Sequence, residues 1–409
     1  TLAGSSAASD VYKRQELVHY AHSKDVEITI DAEEQDRLTL SLNIIEKLAL
    51  DKVIKNWTGF GIALQAYGKR SINVIHWINK ILDKREKMHL RPVKGAYWDY
   101  EIKHAQVFGY EDYPVYSKKS LTDISFLLCA KEILKNEKIY AKFATHNAHT
   151  ISSVHQLGQG KDYEFQRLYG MGELLYQSAE KVLNLEKKPS VYAPIGSYKD
   201  LLPYLVRRLL ENGANSSFIN RLLDPETDAN WLAENPAIRI EKEKIDIPLP
   251  KNIFTERKNS LGFDLSENSN LENLEKSISA HKKNKINAES IYMNRDEKEK
   301  VGQKVYSIAN NEEIGTAIFD DPTNVKSALE NFASEKWSKY SVQERSQILI
   351  KISDDIEKDP SELIFYLLNE AGKTIQNAID EIREAIDFLR YYSRPVSYTH
   401  LTLPTILLV

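Results

Sequence analysis

The sequence predicts an α/β fold built on the strand–helix units of a (β/α)8 barrel, and three observations support this. Short β-branched and aromatic runs alternate with helical patterns between Glu16 and Arg221. Most of these runs are separated by roughly the 30 residues of a strand–helix unit, which favours a parallel sheet. A polar or aromatic cluster follows each run, as expected where the carboxyl ends of barrel strands meet at one mouth.

The predicted strands, in chain order, are 26–30, 61–64, 88–93, 139–143, 163–165 and 190–192. Six units are two fewer than a closed eight-stranded barrel contains. We therefore expect an N-terminally truncated barrel rather than an unusual complete fold of six units. Such a chain would have two unpaired sheet edges, so we expect it either to be poorly soluble or to bind its ligand weakly and substoichiometrically.

The composition excludes several classes of protein. A chain of 409 residues with 42% hydrophobic and 28% charged residues is long enough for two or more domains. The net charge of −4, without a basic block, gives no reason to expect nucleic acid. Cys129, the single cysteine, lies in an apolar run and is predicted to be a core residue. Without a secretory signal or an apolar run of ~20 residues, a cytoplasmic location is expected.

Five segments are predicted along the chain. Residues 1–15 and 396–409 lack any periodicity that links them to their neighbours, and both resemble translated sequencing-adapter fragments. We exclude these two tails from the fold prediction. Between them we predict a partial barrel over 16–225, a polar connection over 226–284 and a mainly helical region over 285–395.

The last predicted strand–helix unit, 189–221, contains the most specific polar pattern. Arg207 and Arg208 are adjacent in an apolar helix, and Tyr204 and Glu211 lie one turn away on either side. Two arginines oriented by a carboxylate form a fork-shaped receptor for a small carboxylate or phosphate. On these residues alone, a solvated helix face with an ordinary ion pair is the simpler alternative.

The other clusters are less specific when each is considered alone. Asp31 could equally be the cap of the following helix, and His146 a satisfied core histidine. A metal site formed by His146 and His149 lacks a third ligand, so no metal is predicted. The segment 94–98 combines a lysine, a glycine and two aromatic residues, which suits a phosphate and a stacked ring. Alternatively, Lys94 could form a Schiff base in an aldolase or lyase barrel.

The unit 189–221 resembles the last strand and helix of the proline dehydrogenase barrel of the proline utilization A family, which consists of bacterial bifunctional flavoenzymes. The motifs at 65–67, 91–98 and 143–147 resemble those that line the FAD site of this family. The resemblance implies FAD-dependent oxidation of L-proline to pyrroline-5-carboxylate. Two positions depart from the family pattern, because Pro92 stands where leucine is more common and Tyr169 where histidine is expected.

The resemblance also implies roles for individual residues. Arg207 and Arg208 would bind the proline carboxylate. Asp31 would orient this arginine pair, and Tyr192 would stack on the substrate. Leu168 and Tyr204 would shape the pocket for the proline ring. Gln65 and Arg91 would approach the isoalloxazine of FAD. The remaining cofactor-binding residues would be Val93, Lys94, Gly95, Ala96, Tyr97, Trp98, Thr145 and His146.

Beyond residue 285 the sequence resembles the N-terminal helices of an aldehyde dehydrogenase domain. The resemblance implies that NAD-dependent oxidation of glutamate semialdehyde belongs only to a full-length parent, whose nucleophilic cysteine would follow this segment. It further implies electron transfer to a membrane quinone, with peripheral attachment at the inner membrane, and leaves homo-oligomerisation open. The alternative is a non-catalytic remnant, a truncated barrel that folds partly and binds little.

Overall fold

The computed structural model describes residues 2–213, 230, 233–242, 247–289, 302–330 and 339–394. The chain divides into two compact units. The first comprises Thr1–Lys103 and Tyr113–Ile247, and the second His104–Asp112 and Pro248–Val409. No helix in the described ranges is both long and apolar enough to span a membrane. The five predicted segment boundaries stay predictions, and the predicted tail 396–409 lies outside the described residues.

The first unit contains a six-stranded parallel sheet whose strands are arranged in sequence order. The strands are β1 Ile28–Ile30, β2 Phe60–Gln65, β3 Met88–Val93, β4 Ile139–Ala144, β5 Tyr163–Leu168 and β6 Ser190–Tyr192. A doubly wound sheet reverses its strand order at a switch point, whereas the wall of a (β/α)8 barrel does not. All six predicted strands and the predicted fold class are therefore confirmed.

Helices alternate with these strands. They are α1 Leu2–Ser23, α2 Leu38–Ala49, α3 Ser71–Leu82, α4 Trp98–Phe108, α5 Lys119–Ile133, α6 Ala148–Leu157, α7 Glu173–Leu183, α8 Tyr198–Gly213 and α9 Pro236–Lys242, with a 3₁₀ turn at Gln35–Arg37. Helix α6 starts where the side chain of Asn147 accepts a hydrogen bond from the Thr150 N–H at 3.0 Å, an ordinary N-cap. Helix α1 includes residues of the predicted N-terminal tail.

The core of the first unit lies between the helices and one face of the sheet. Alternate strand residues supply it, among them Ile62, Leu90 and Phe143, because successive side chains of a strand point to opposite faces. Cys129 in α5 is fully buried in the same cluster, which confirms its prediction as a core residue. Burial of each large apolar side chain contributes about 1.5–3 kcal/mol.

The other face of the sheet is polar and strongly curved. Glu27, immediately before β1, accepts a hydrogen bond from Lys142 Nζ in β4 at 2.6 Å and lies 3.2 Å from Nε2 of His89 in β3. In a flat sheet β1 and β4 would be roughly 14 Å apart, since neighbouring strands are separated by about 4.8 Å. The contact between Glu27 and Lys142 therefore requires the sheet to curl, as a barrel wall does.

The second unit combines helices with a small sheet. Its helices are α10 Asn268–Ala280, α11 Pro322–Glu330, α12 Val342–Lys358, α13 Ser361–Asn369 and α14 Ile375–Tyr392, with 3₁₀ turns at Pro250–Asn252 and His281–Lys283. Helix α12 starts with a capping box between Ser341 and Glu344. Its strands, which the sequence analysis did not predict, are β7 Ile286–Glu289, β8 Gly302–Tyr306 and β9 Glu313–Ile318, in the order β7-β9-β8.

The segment predicted as a polar connection also contributes to the core of the second unit. Helix α10 falls within it and buries Leu274 and Ile278. These side chains pack in one cluster with Ile364 of α13 and Ile382 of α14. The second unit therefore has a hydrophobic core of its own, as an independent domain requires.

Candidate active site

Arg91, in β3 near its carboxyl end, lies at the centre of the polar face of the sheet. Its guanidinium forms an ion pair with Asp31, which follows β1, and Cζ lies 5.9 Å from the ring centroid of Tyr192 in β6. Burial lowers the pKa of Arg91, and the nearby tyrosines Tyr192 and Tyr204 oppose this shift. Contacts from one side chain to both β1 and β6 show that the strand ends converge on a common mouth.

Helix α8 brings Tyr204 and Arg208 to this mouth. Arg208 Cζ lies 5.4 Å from the ring centroid of Tyr204, a cation–π contact one turn apart on the helix. The side chains of Arg207 and Glu211 lie outside the described residues, so their predicted roles stay predictions. Asp31 was expected to orient the arginine pair, a role that also stays a prediction, and its described ion pair is with Arg91.

His146, which follows β4, is a neutral imidazole in this environment. Burial lowers the pKa of His146 to about 4, and the positive charges of Arg208 and Arg167 lower it further. Its Nε2 accepts a hydrogen bond from the Leu168 N–H at 3.1 Å. This hydrogen bond assigns the ring proton to Nδ1. His146 therefore joins the ends of β4 and β5 and can donate a hydrogen bond through Nδ1.

Lys94 is held by a partner that the sequence analysis missed. Its Nζ forms an ion pair with Asp123, a nearly buried carboxylate on α5. An acidic residue beside the apolar run at 124–128 was the only sequence signal for this contact. Nearby, burial lowers the pKa of His149, an effect to which Arg239 and Lys94 add and which Asp123 opposes.

The loop after β3 packs closely over the loop after β2. Gln65 donates from Nε2 to the Glu33 carbonyl at 2.6 Å and accepts the Ala96 N–H at Oε1 at 3.2 Å. Gly95 has φ +143°, and a Cβ added there would lie 2.5 Å from ring atoms of the buried Tyr67. Only glycine allows this close approach without displacing the tyrosine.

The remaining predicted site residues lie around the same edge. The Tyr97 hydroxyl donates to Glu33 Oε2 at 3.3 Å, and Trp98 Nε1 donates to the Tyr116 carbonyl at 2.9 Å. Leu168 and Thr145 are buried. The backbone carbonyl of Val93 accepts the Ala66 N–H at 2.8 Å. The side chain of Tyr169 is exposed, and its backbone N–H donates to the Tyr192 carbonyl at 2.8 Å.

Comparison with known proteins identifies the family to which the chain belongs. The proline dehydrogenase family model matches residues 4–221, which contain the whole six-stranded sheet, and the aldehyde dehydrogenase family model matches residues 293–402. The chain therefore belongs to the proline dehydrogenase family. Within it, the predicted resemblance to proline utilization A is confirmed by relatives and by solved structures of that name.

The bifunctional protein PutA of Salmonella typhimurium is 39% identical over 410 residues, which cover 95% of this chain and 31% of that protein. A mutant of proline utilization A from Bradyrhizobium japonicum superposes with a TM-score of 0.81 at 36% identity, covering 95% of this chain and 37% of the other. A proline utilization A structure with proline bound in remote sites superposes with a TM-score of 0.79 at 36% identity. The match covers 94% of this chain and 37% of the other chain. The chain thus spans about a third of these relatives.

Proposed function

We propose that this chain carries the FAD-dependent oxidation of L-proline to pyrroline-5-carboxylate, a step of proline catabolism to glutamate. The observation that carries the proposal is the meeting of Arg91, Asp31, Tyr192, Tyr204 and Arg208 at the carboxyl ends of the strands. In β/α barrels this edge of the sheet is where active sites are built. Membership of the proline dehydrogenase family supports the choice of reaction.

The substrate would be held by its carboxylate. Arg208 faces the mouth from α8, and the lowered pKa of His146 reflects, after burial, the positive charge that Arg208 and Arg167 place there. A guanidinium fork binds a carboxylate through charge-assisted hydrogen bonds. We propose that Arg207 completes the fork, that Glu211 and Asp31 orient it, and that a set of apolar and aromatic side chains holds the proline ring: Tyr192, Leu168 and Tyr204.

The residues at the strand ends fit a flavin nucleotide. Gly95 allows the loop after β3 to pack against the ring of Tyr67, and its neighbour Lys94, paired with Asp123, supplies a cation for a phosphate. His146 offers an N–H at Nδ1, and Gln65 lies at the end of β2 with its amide oriented by the Glu33 carbonyl and the Ala96 N–H. A donor, a cation and aromatic rings at one edge of the sheet suit a cofactor that combines phosphates with a planar ring.

When bound, FAD would supply the hydride-accepting chemistry of the reaction. The residues proposed to hold it are Gln65, Arg91, Val93, Lys94, Gly95, Ala96, Tyr97, Trp98, Thr145 and His146. The chain itself contributes orientation and electrostatics. Arg91, paired with Asp31 and facing Tyr192, would hold a fixed positive charge at the mouth. Such a charge stabilises electron density that develops during the reaction without having to reorganise.

A Schiff-base mechanism at Lys94 is less well supported. A Schiff-base lysine must present a free amine to the substrate carbonyl. The Nζ of Lys94 is instead engaged with the carboxylate of Asp123. Borohydride treatment in the presence of a carbonyl substrate should therefore trap no adduct on Lys94, and detection of one would favour the lyase alternative.

We propose that the second unit is the start of an aldehyde dehydrogenase domain, with boundaries at 226–284 for the connection and 285–395 for the domain. NAD-dependent oxidation of glutamate semialdehyde would then belong to a longer protein. Cys129, the only cysteine of the sequence, is buried in α5 and cannot serve as its nucleophile. The purified chain should show no oxidation of any aldehyde with NAD, and such activity would overturn this assignment.

The remaining partners are proposed from the family. The electron acceptor would be a membrane quinone, reached by peripheral attachment of a cytoplasmic protein to the inner membrane. A homo-oligomer fits the same proposal. Sedimentation of the chain alone measures its oligomeric state, and sedimentation with quinone-containing vesicles measures its attachment to a membrane. A chain that never co-sediments with the vesicles would contradict the proposed membrane attachment.

The carboxylate role is tested by Arg208→Met. Loss of a charge-assisted contact should cost roughly 1.5–3 kcal/mol, so the Michaelis constant for proline should rise about 10- to 100-fold while flavin content is unchanged. Arg37→Met is the matched control, because the side chain of Arg37 is 63% exposed and pairs with Glu34 only three residues earlier in the chain. An unchanged Michaelis constant in Arg208→Met would remove the carboxylate role.

A further inference from the structure

Glu101 is a buried carboxyl group at a junction of three loops. It lies in the first turn of α4 with only 2% of its surface exposed. Its Oε1 accepts the backbone N–H of Gln35 at 2.8 Å and the hydroxyl of Tyr67 at 3.4 Å. Gln35 belongs to the connection after β1, Tyr67 to the loop after β2, and α4 itself follows the loop after β3. One carboxyl oxygen thus joins three consecutive strand–helix connections.

Further contacts bind the same three connections to one another. Tyr67 N–H donates to the Lys94 carbonyl at 2.8 Å, and its ring lies directly against Gly95. Arg70 Nη2 donates to the Gln35 carbonyl at 2.9 Å. The residues placed at the mouth by these connections are Asp31, Gln65 and the segment 94–98. The position of Glu101 therefore determines how these segments sit together.

We propose that Glu101 is a positioning residue that holds the loops after β1, β2 and β3 in the arrangement required to bind a flavin nucleotide. The inference rests on the proposed function, because the cofactor is the ligand whose binding these loops would support. Glu101 itself does not act as a cofactor ligand. Its effect passes through Gln35 and Tyr67 to the residues at the mouth.

The electrostatics of the junction give this role a measurable signature. Burial raises the pKa of Glu101 from 4.5 to about 7, the hydrogen bonds from Gln35 and Tyr67 oppose the shift, and the negative charges of Asp36 and Glu34 add to it. These two carboxylates face Glu101 from the first connection, and the Tyr67 hydroxyl faces it from the second. Burial also raises the pKa of Tyr67, which therefore remains a hydrogen-bond donor.

The sign of the pH effect follows from this shift. The closed junction binds the Glu101 proton more tightly than an opened junction, in which the carboxyl returns to water at its ordinary pKa of 4.5. Opening therefore becomes easier as the pH rises from 4.5 to about 7, and above that range it no longer changes. The shift corresponds to an increase of about 300-fold in the opening equilibrium.

The first measurement is the FAD dissociation constant of the 409-residue chain between about pH 5 and pH 8.5. In the wild type, affinity should fall with rising pH and level off above about pH 7. Glu101→Gln keeps the acceptor oxygen and cannot ionise, so its affinity should be independent of pH and tighter than wild type at high pH. Glu101→Leu removes the acceptor and should bind FAD at least tenfold more weakly at every pH.

Asp99→Asn is the matched control, because Asp99 is an exposed acidic residue in the same first turn of α4. It removes the same charge from the helix N-terminus and should leave the wild-type pH profile intact. Tyr67→Phe removes one hydrogen bond that lowers the pKa of Glu101, so it should move the midpoint of the profile to higher pH. This variant keeps the ring that packs against Gly95.

A second readout needs no cofactor. Hydrogen exchange of the Gln35 amide in the FAD-free chain reports opening of the junction directly, and it should accelerate over the same pH range beyond the intrinsic chemical rate. In Glu101→Gln this extra acceleration should be absent. Failure of the wild type to bind FAD, with pH-dependent exchange intact, would contradict the proposed function while supporting the junction.

Several results would overturn the positioning role. If Glu101→Gln and Glu101→Leu bound FAD alike, the acceptor oxygen would have no part in placing the loops. If Glu101→Gln retained the wild-type pH profile, another group would be responsible for the titration. If Glu101→Leu proved insoluble, an unmoved midpoint in Tyr67→Phe would by itself contradict the proposal.

Discussion

Replacing Gly95 by alanine tests the close packing of the loops at the mouth. Gly95 has φ +143°, a conformation that residues with a side chain rarely adopt. Its added Cβ would lie 2.5 Å from the ring of Tyr67, which is buried and cannot move into solvent. The substitution therefore introduces both backbone strain and a steric overlap, in the loop that carries Lys94 and Tyr97.

The two effects can be given magnitudes. Backbone strain of this kind costs about 1–3 kcal/mol, and overpacking a buried site typically costs another 1–3 kcal/mol. Gly95→Ala should therefore lower the free energy of unfolding by about 2–6 kcal/mol. Gly160→Ala is the control, because Gly160 has φ +71° and nothing lies within 4 Å of an added Cβ. Only backbone strain remains at that position, so the free energy of unfolding of the control should fall by about 1–2 kcal/mol.

Denaturant unfolding of the three proteins measures these differences, and FAD titration shows whether binding falls with them. The double variant Gly95→Ala/Tyr67→Leu should be less destabilised than the sum of its single variants, because the smaller side chain relieves the overlap. If Gly95→Ala were no more destabilising than Gly160→Ala, the contact between the glycine and the Tyr67 ring would not exist as described.

Two further predictions concern stability. Lys142→Met should destabilise the first unit by about 1–3 kcal/mol in urea unfolding, because it removes the contact with Glu27 across the curved sheet; no loss would contradict the curl. Arg390→Met should destabilise the second unit by about 3–5 kcal/mol, since its buried guanidinium donates two hydrogen bonds to Glu357 at 2.9 and 2.7 Å. Burial alone would raise the pKa of Glu357, but the hydrogen bonds from Arg390 and a backbone N–H hold it below 4.5. This stabilisation is therefore present above pH 4.5 and lost as the pH falls, and an equal acid dependence in Arg390→Met would contradict the role of the pair.

Strands β2 to β5 could be predicted because each contains buried residues and is followed by a polar cluster. Strands β1 and β6 contain no fully buried residue, and their β-branched and aromatic composition predicted them together with the clusters that follow. The three strands of the second unit were not predicted. The four residues of β7 are all exposed, and β8 has only one partly buried position, Val305. Without a buried face there is no period-two pattern for a sequence to reveal. The same limit led to α10 being assigned to a polar connection, since only two of its residues are buried.

The candidate site was predictable where motifs are contiguous in sequence and not where partners are distant. The segment 94–98 and the arginine pair stand out locally. Asp123 and Glu101, by contrast, look like ordinary acidic residues of amphipathic helices, and only folding shows that each is buried against a loop. The ion pair of Asp31 with Arg91 likewise depends on the curvature that brings β1 near β3. Curvature is a property of the whole sheet and leaves no local signature.

The most direct test of the proposed chemistry is anaerobic titration of the FAD-loaded chain with L-proline, followed by the visible absorbance of the flavin. L-Proline should bleach this absorbance as the flavin is reduced, and D-proline should bleach it far less. The Arg208→Met variant should need a much higher concentration of L-proline to reach the same extent of bleaching. Product analysis of the bleached sample should give pyrroline-5-carboxylate. A chain that binds FAD at the mouth and keeps its oxidised spectrum at saturating L-proline would contradict the proposal that this site oxidises proline.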